Sequence, residues 1–302
     1  MPLVHKKRVI RFKATDLEKE RRYMWRDEST PLLLKYLEIH PGQTIVDVGC
    51  GTGFFTRLVA RGLRGKGRAL GIDPDRRLVK TAAQIAKAEG VADYVSFRFG
   101  TGESLPVDDQ FADRVVCQTV LWVMRDPRPT IKEMLRVCKR GGLLGAVEGA
   151  WDHLILHFPA DSSLTELQRK YAAARAKGVS KLYGSDWGRA YKLASTFDAI
   201  GLDRVRIDGY PYIWYEADDR IPLEYKLEYH RDEVNKFEGK ESKEMQEEKI
   251  LLTEGGMAEE DLNELRRRGY ERSRRLLDNP ELIASDYSLQ SGILFITTGV
   301  KR

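Results

Sequence analysis

Three glycines stand at alternate positions in "TIVDVGCGTGFF", residues Thr44 to Phe55, directly after an apolar run. Gly49, Gly51 and Gly53 are flanked by an acid, Asp47, and a second acid, Asp73, follows twenty residues after Gly53. Glycines let backbone amides approach a ligand closely, and the start of a helix offers unpaired N–H groups. An acid ending the next strand can accept both hydroxyls of a ribose. The same Asp73-Pro74 pair also reads as a turn and helix N-cap.

Asp47 separates the ligands. The dinucleotide pattern GxGxxG fails here, because its third glycine would fall on Phe54 or on Thr56. A carboxylate inside the loop also repels a pyrophosphate and welcomes an ammonium. A ligand with a ribose and an amino-acid end but no phosphate fits Asp47 and Asp73 together. S-adenosylmethionine has that composition.

Such a turn needs strands and helices to hold it. Residues 15–40 carry a helical pattern through Leu32, Leu33, Leu34, Tyr36 and Leu37, broken by Pro41-Gly42. The chain then alternates: "TIVDVG", "GRALGIDPD", "VSFRFGTG", "FADRVVCQTVLWV" and "LLGAVEG" read as strands. Between them "FFTRLVARGL", "RRLVKTAAQIAKAEG" and "RPTIKEMLRVCKRGG" read as helices, the last closed by its glycine pair. Apolar strands separated by amphipathic helices imply parallel βαβ units, an α/β fold with helices on both faces of the sheet. After Trp151 the alternation lapses into a helix, a strand around Arg204–Ile207, a charged helical stretch at about 212–285, and the closing strand "SGILFITTGVKR". The expected organisation is one domain, 1–302, with an N-terminal helical segment 1–40 and a helical cap inserted at about 212–285.

Bulk composition narrows the function. The 302 residues are 42% hydrophobic, enough for a core, and the net charge is only +5. That argues against a nucleic-acid partner, which calls for a clustered basic stripe. The basic "HKKRVIRFK" near the start is read as a solvated terminus, with a phosphate-binding arm as the alternative. Cys50, Cys117 and Cys138 lack metal-ligand spacing and sit in or beside apolar segments, so no metal site is expected and the thiols read as buried in a reducing compartment. No apolar run reaches the ~18 residues of a membrane span. The chain reads as cytoplasmic.

The segments "VDVGCGTGFFTRLVA", "GIDPD", "FGTGESLPVDDQFADRVVCQTVLWVMRDP" and "EMLRVCKRGGLL" resemble the successive motifs of class I S-adenosylmethionine-dependent methyltransferases. The subgroup they resemble is the small-molecule branch that includes the ubiquinone/menaquinone C-methyltransferases. The resemblance runs from about residue 29 to 150 and is weaker at 184–211 and 285–302. It implies a Rossmann-like, doubly wound, seven-stranded and mostly parallel sheet whose last strand is antiparallel. It also implies that Asp47, Gly49 and Gly51 line the methionine end of the cofactor, with Gly53 completing the turn. Asp73 would hold the ribose and Pro74 would flank the adenine. "GTGESLP" matches an adenine loop usually written GDAExLP, with Thr101 in place of Asp and Gly102 in place of Ala. The usual carboxylate contact to the adenine is thus missing, leaving the Thr101 hydroxyl or the backbone of Gly102 and Glu103. Gln118 matches a position facing the methionine moiety, and Tyr23 and Trp25 match residues that close over the cofactor or pack in the core.

Methyl transfer from a sulfonium is an in-line displacement, so positioning and water exclusion matter more than a catalytic triad. The fourth strand lacks the Asn/Asp-Pro-Pro-Tyr/Phe motif of amine methylation on bases or glutamine, and the cysteines resemble neither base C5-methylation nucleophiles nor an arsenite site. A small, apolar or aromatic acceptor is expected. A protein or RNA acceptor and a non-catalytic cofactor binder are the alternatives. Acceptor-side candidates follow the fifth strand: Glu148, Trp151, Asp152, His153 and His157, then Tyr183 and Trp187. An imidazole can take up a proton at neutral pH, which makes His153 the candidate general base. The helix in "EEDLNELRRRGYERSRRLL" reads equally as a lid, a homodimer surface or a solvated helix.

Overall fold

The protein is described by a computed structural model covering residues 13–25, 30–151, 153–238 and 243–302. In chain order the elements are α1 (Ala14–Met24), α2 (Thr30–Tyr36), β1 (Thr44–Val48), α3 (Phe54–Arg61), β2 (Arg68–Asp73) and α4 (Arg76–Ala88). Then come β3 (Val95–Phe99), β4 (Ala112–Gln118), α5 (Arg128–Val137), β5 (Cys138–Gly149), β6 (Ile155–His157) and α6 (Ser162–Tyr183). The remaining elements are α7 (Leu193–Ala199), β7 (Asp203–Tyr215), α8 (Leu223–Glu238), α9 (Lys243–Glu254), α10 (Glu259–Asp278) and β8 (Leu289–Val300).

Two compact units emerge. The first takes the described residues of Val9–Ala150, Gly188–Tyr210 and Ile293–Arg302; the second takes Trp151–Trp187 and Pro211–Gly292. In the first, the sheet runs β3-β2-β1-β4-β5-β8, parallel from β3 to β5 and antiparallel between β5 and β8. β7 also pairs with β8. The parallel strands are covered on both faces, so they are nearly continuous apolar runs: Val46, Val48, Leu70, Ile72, Val115, Cys117, Leu144 and Ala146 pack with Ile131, Met134 and Phe197. Strand order reverses between β1 and β4, and in open α/β sheets a ligand crevice forms at such a switch point, beyond the carboxyl ends of the strands. Asp47 and Gln118 lie at those ends.

Two local readings change. The Gly141-Gly142 pair does not close α5, which stops at Val137; it sits inside β5. There the register with β4 slips between Ala112/Cys138 and Arg114/Leu143, and Gly141 takes φ +73° in the resulting bulge. The bulged backbone is not wasted, since Gly141 N–H donates to Lys301 O and Lys301 N–H to Gly142 O. A short strand, β6, joins the seven expected ones and pairs antiparallel with the first residues of β8.

The second unit is helical and draws on residues 151–187 as well as the expected insertion. α6 and α9 cross where small residues let them touch: a Cβ on Gly178 would lie 2.0 Å from Leu251 O, and one on Gly255 would lie 1.8 Å from Ala174 O. Lys170 pairs with Asp261, and Arg268 with Asp161, each at 2.8 Å, tying α6 and its N-cap to α10. Beneath them lies a buried polar cluster of Glu216, His230 and Ser273. Among the described residues no helix is long and apolar enough to cross a membrane.

Candidate functional site

All three glycines of the turn adopt positive φ, +72° at Gly49, +55° at Gly51 and +77° at Gly53. Side chains are excluded there by neighbours as well as by backbone: a Cβ on Gly49 would lie 2.5 Å from Val120, and one on Gly53 would lie 2.4 Å from Phe97. The turn is tightly self-bonded. Gly49 and Cys50 donate to Ile72 O, Gly53 donates to Cys50 O, and Gly51 donates to Asp73 Oδ2 at 2.8 Å.

Asp73 ends β2 and is not the helix cap. Its Oδ1 accepts from Asp75 N, and Asp75 itself caps α4 by accepting from Arg77 N. With the cap role filled by Asp75, Asp73 is left to brace the glycine turn across the mouth of the crevice. Burial raises its pKa, against the hydrogen bonds from Asp75 and Gly51.

Asp47 is buried, and its Oδ2 accepts from Thr56 Oγ1 at 2.6 Å. Burial pushes its carboxyl up to about 7, helped by the charge of Asp73 and opposed by Thr56 and Arg21. Glu148 at the end of β5 is fully buried and is likewise held at about 7 by burial, against hydrogen bonds from the Leu121 and Val120 amides. Its Oε1 accepts from those two amides at 2.7 and 2.9 Å, fixing the loop that follows β4. In that loop Thr119 sits at φ +51°, a costly conformation for a branched residue and a mark of a constrained site.

Three polar atoms here are buried without a hydrogen-bond partner among the described residues: Gln118 Oε1, Glu148 Oε2 and Trp25 Nε1. Buried polar groups are normally satisfied, so open acceptors at the ends of β4 and β5 fit a ligand that brings donors. Gln118 Nε2 is engaged by Met24 Sδ at 3.2 Å. Trp25 is buried, stacked on Tyr210 at 5.3 Å and tilted against Phe55 at 6.2 Å.

A whole helix face escaped the sequence reading. Leu17, Arg21 and Met24 follow one another at helical spacing on α1: Leu17 lies against Gly51, Arg21 Nη2 donates to Thr119 Oγ1, and Met24 meets Gln118. The signal was an arginine within an otherwise apolar stripe. The Arg21 side chain is 14% exposed; burial lowers its pKa, opposed by the charges of Glu20, Glu148, Asp47 and Glu18.

The adenine-loop positions Thr101 and Glu103 are exposed, with Thr101 bridged to Ser104, and Pro74 is exposed. Gly102 is small because a Cβ there would lie 2.8 Å from Thr130 Oγ1, itself fully buried. The remaining acceptor-side candidates belong to the helical unit. Trp151 packs on Tyr212 at 5.9 Å, Arg175 lies 5.8 Å over the Trp187 ring, Tyr183 is half-buried at the end of α6, and His153 and His157 are exposed. Asp152, the side chain of Tyr23 and all of the basic stretch before Lys13 lie outside the described residues. The three cysteines are free and buried. Among the described residues no cluster of three or more His, Cys, Asp or Glu could hold a metal ion.

The two carboxyls held at about 7 have a consequence for stability. In the unfolded chain both ionise in the ordinary carboxylate range, so between about 4 and 7 the folded state binds the extra protons. Their contribution is therefore present at low pH and lost as pH rises through about 7. Thermal midpoints of the ligand-free protein are expected to fall between pH 5 and 8, and to fall less in Asp47→Asn. An equal fall in both proteins contradicts the assignment.

A glycine turn between two acids, at the switch point of a doubly wound sheet with an antiparallel final strand, defines a class. That class is the class I S-adenosylmethionine-dependent methyltransferases, and this chain is similar to them in fold and in its glycine turn. Residues 46–146 match the family described as "Methyltransferase domain", and the cofactor of the class is S-adenosylmethionine. The chain is 30% identical over 128 residues to an uncharacterized 37.1 kDa protein in transposon TN4556 of Streptomyces fradiae, covering 42% of this chain and 36% of that protein. It is 27% identical over 198 residues to the demethylmenaquinone methyltransferase of Desulfitobacterium hafniense, covering 60% of this chain and 73% of that one. In fold it is similar to the YcgJ protein of Bacillus subtilis, with a TM-score of 0.51 at 18% identity, over 92% of this chain and 99% of that one.

Proposed function

We propose that the protein transfers the methyl group of S-adenosylmethionine to a small apolar or aromatic acceptor of quinol-like chemistry, by in-line displacement. The observation that carries the cofactor's placement is the pairing of Asp47 and Asp73 about a turn whose amides are already used, beside the open acceptor of Gln118. Such a site suits an amino-acid-bearing nucleoside and disfavours a phosphate. The acceptor class is supported by the likeness to demethylmenaquinone methyltransferases.

In this reading Asp73 holds the ribose hydroxyls, while Asp47 and Gln118 accept from the ammonium. Gly49, Gly51 and Gly53 leave room for the methionine end. Pro74, Thr101, Gly102 and Glu103 flank the adenine, and Tyr23 and Trp25 close the apolar side. The bound cofactor supplies an electrophilic methyl on a sulfonium. The chain's part is to fix that methyl in line with the acceptor and to keep water out. Where the acceptor must lose a proton, His153 is the base we assign. The chain is read as one methyltransferase domain carrying a helical insertion.

The test is methyl transfer from labelled cofactor to a panel holding a demethylated naphthoquinol, catechols, total RNA and a protein extract. Label in a small aromatic product is expected. Label in RNA or protein contradicts the acceptor class, and cofactor binding with no turnover on the panel favours a non-catalytic binder.

A further inference from the structure

The amino-acid end of the cofactor is a zwitterion, and its carboxylate needs donors. The glycine turn does not supply them freely. The amides of Gly49, Cys50, Gly51 and Gly53 are bonded to Ile72 O, Asp73 Oδ2 and Cys50 O. The loop after β4 is equally occupied, with Thr119 N–H on Val147 O and the Val120 and Leu121 amides on Glu148 Oε1. Beyond the uncapped first amides of α3, a carboxylate entering this crevice must look to a side chain for its charged partner.

Two largely buried guanidiniums lie nearby, and they differ in how far they are engaged. Arg57 is taken up by structure: it bonds Glu18 through both carboxylate oxygens at 3.0 and 3.2 Å, Glu89 at 3.0 Å, and Thr52 O at 2.8 Å. Arg21 bonds a neutral hydroxyl, Thr119 Oγ1, and its ion-pair partner within reach among the described residues is the exposed Glu20 at 3.9 Å. A guanidinium has five N–H donors in a planar fork that matches a carboxylate. Arg21 therefore keeps donor capacity while sitting one residue's reach from Gln118, whose open Oε1 suits the ammonium of the same zwitterion. In the free protein its charge offsets the buried Asp47 and Glu148.

We propose that Arg21 binds the carboxylate of the cofactor's amino-acid end, so that α1 carries one half of the zwitterion site and the ends of β1 and β4 the other. The inference rests on the cofactor reading above and deepens it. When the ammonium reaches Asp47, the counter-charge provided by Arg21 is released to the carboxylate. Arg21 is thus a binding residue, and its loss acts on one chemical group of the ligand.

The experiment is calorimetric titration of the full chain with S-adenosylhomocysteine and with 5′-methylthioadenosine, which lacks the amino acid. Arg21→Met is expected to weaken S-adenosylhomocysteine by about 10–100-fold, as charge-assisted hydrogen bonds are lost, and to leave methylthioadenosine within about twofold of wild type. Arg21→Lys keeps the charge but not the fork and should fall between, again for S-adenosylhomocysteine alone. Equal losses for both ligands, or no loss for either, in whichever variant folds, overturn the proposal. Failure of the wild type to bind either ligand overturns the cofactor reading itself.

Discussion

Glu216→Ala is expected to lower the unfolding free energy by about 3–5 kcal/mol, the range for stripping one partner from a buried charged pair. Glu216 is 2% exposed and sits at the start of the segment after β7. One carboxylate oxygen meets His230 Nε2 at 2.9 Å; the other accepts from Trp214 Nε1 at 2.9 Å, with Arg272 at 3.6 Å. His230 is itself fully buried and reaches Ser273 Oγ with Nδ1 at 3.0 Å. One acid therefore ties α8, α10 and the end of β7 together, and alanine takes away the acceptor that meets the buried His230 Nε2 and Trp214 Nε1. Burial pushes the Glu216 carboxyl up, but His230, Arg272 and Trp214 outweigh it and hold the pKa below the ordinary value. The sign follows: its stabilisation is full above the ordinary carboxylate range and is lost as pH falls through the lowered value. Urea unfolding at pH 7 should show the loss, and the variant should show a weaker acid transition than wild type. A change under about 1 kcal/mol would mean the cluster is solvated in solution.

Gly51→Val is expected to abolish cofactor binding, a loss of more than about 100-fold, while the chain still folds. Left-handed backbone costs a non-glycine residue roughly 1–2 kcal/mol, and more for a β-branched one. At φ +55° the new Cβ would also stand 3.2 Å from Leu17 Cδ1 on α1. Relieving both strains turns the Gly51 N–H away from Asp73 Oδ2, which removes the brace on Asp73. Gly90 supplies the control, because it has φ +70° and a Cβ there would meet nothing within 4 Å. Gly90→Val should cost similar backbone strain and leave binding intact. Equal binding losses in both variants would point to global strain and remove the turn from the site.

The sheet was legible because strands covered on both faces are nearly continuous apolar runs, as Val115 to Cys117 are and as Ile45 to Val48 are but for Asp47. Motif spacing located the glycine turn and its two acids for the same reason: turn and strand end are local in sequence. What escaped depended on distant partners. The helix-cap reading of Asp73 gave way because the Asp75 side chain takes the cap. The glycine pair at 141–142 read as a helix stop, because a bulge is defined by the register with β4 and not by composition. β7 runs on to Tyr215 through Pro211, a residue that argues against a central strand but is tolerated at a sheet edge. Arg21 was given no role from the sequence, because its partner Thr119 lies 98 residues away. The Glu216–His230–Ser273 cluster spans three elements at separations of 14 and 43 residues, with no periodic signal to reveal it.

The most direct test of the account is calorimetric titration of the wild-type chain and Asp73→Ala with S-adenosylhomocysteine, with NAD as the competing candidate. Wild type is expected to bind S-adenosylhomocysteine at one site and not NAD. Asp73→Ala should weaken that binding by roughly 1–3 kcal/mol through lost hydrogen bonds to the ribose. Binding of NAD in preference, or unchanged affinity in Asp73→Ala, would contradict it.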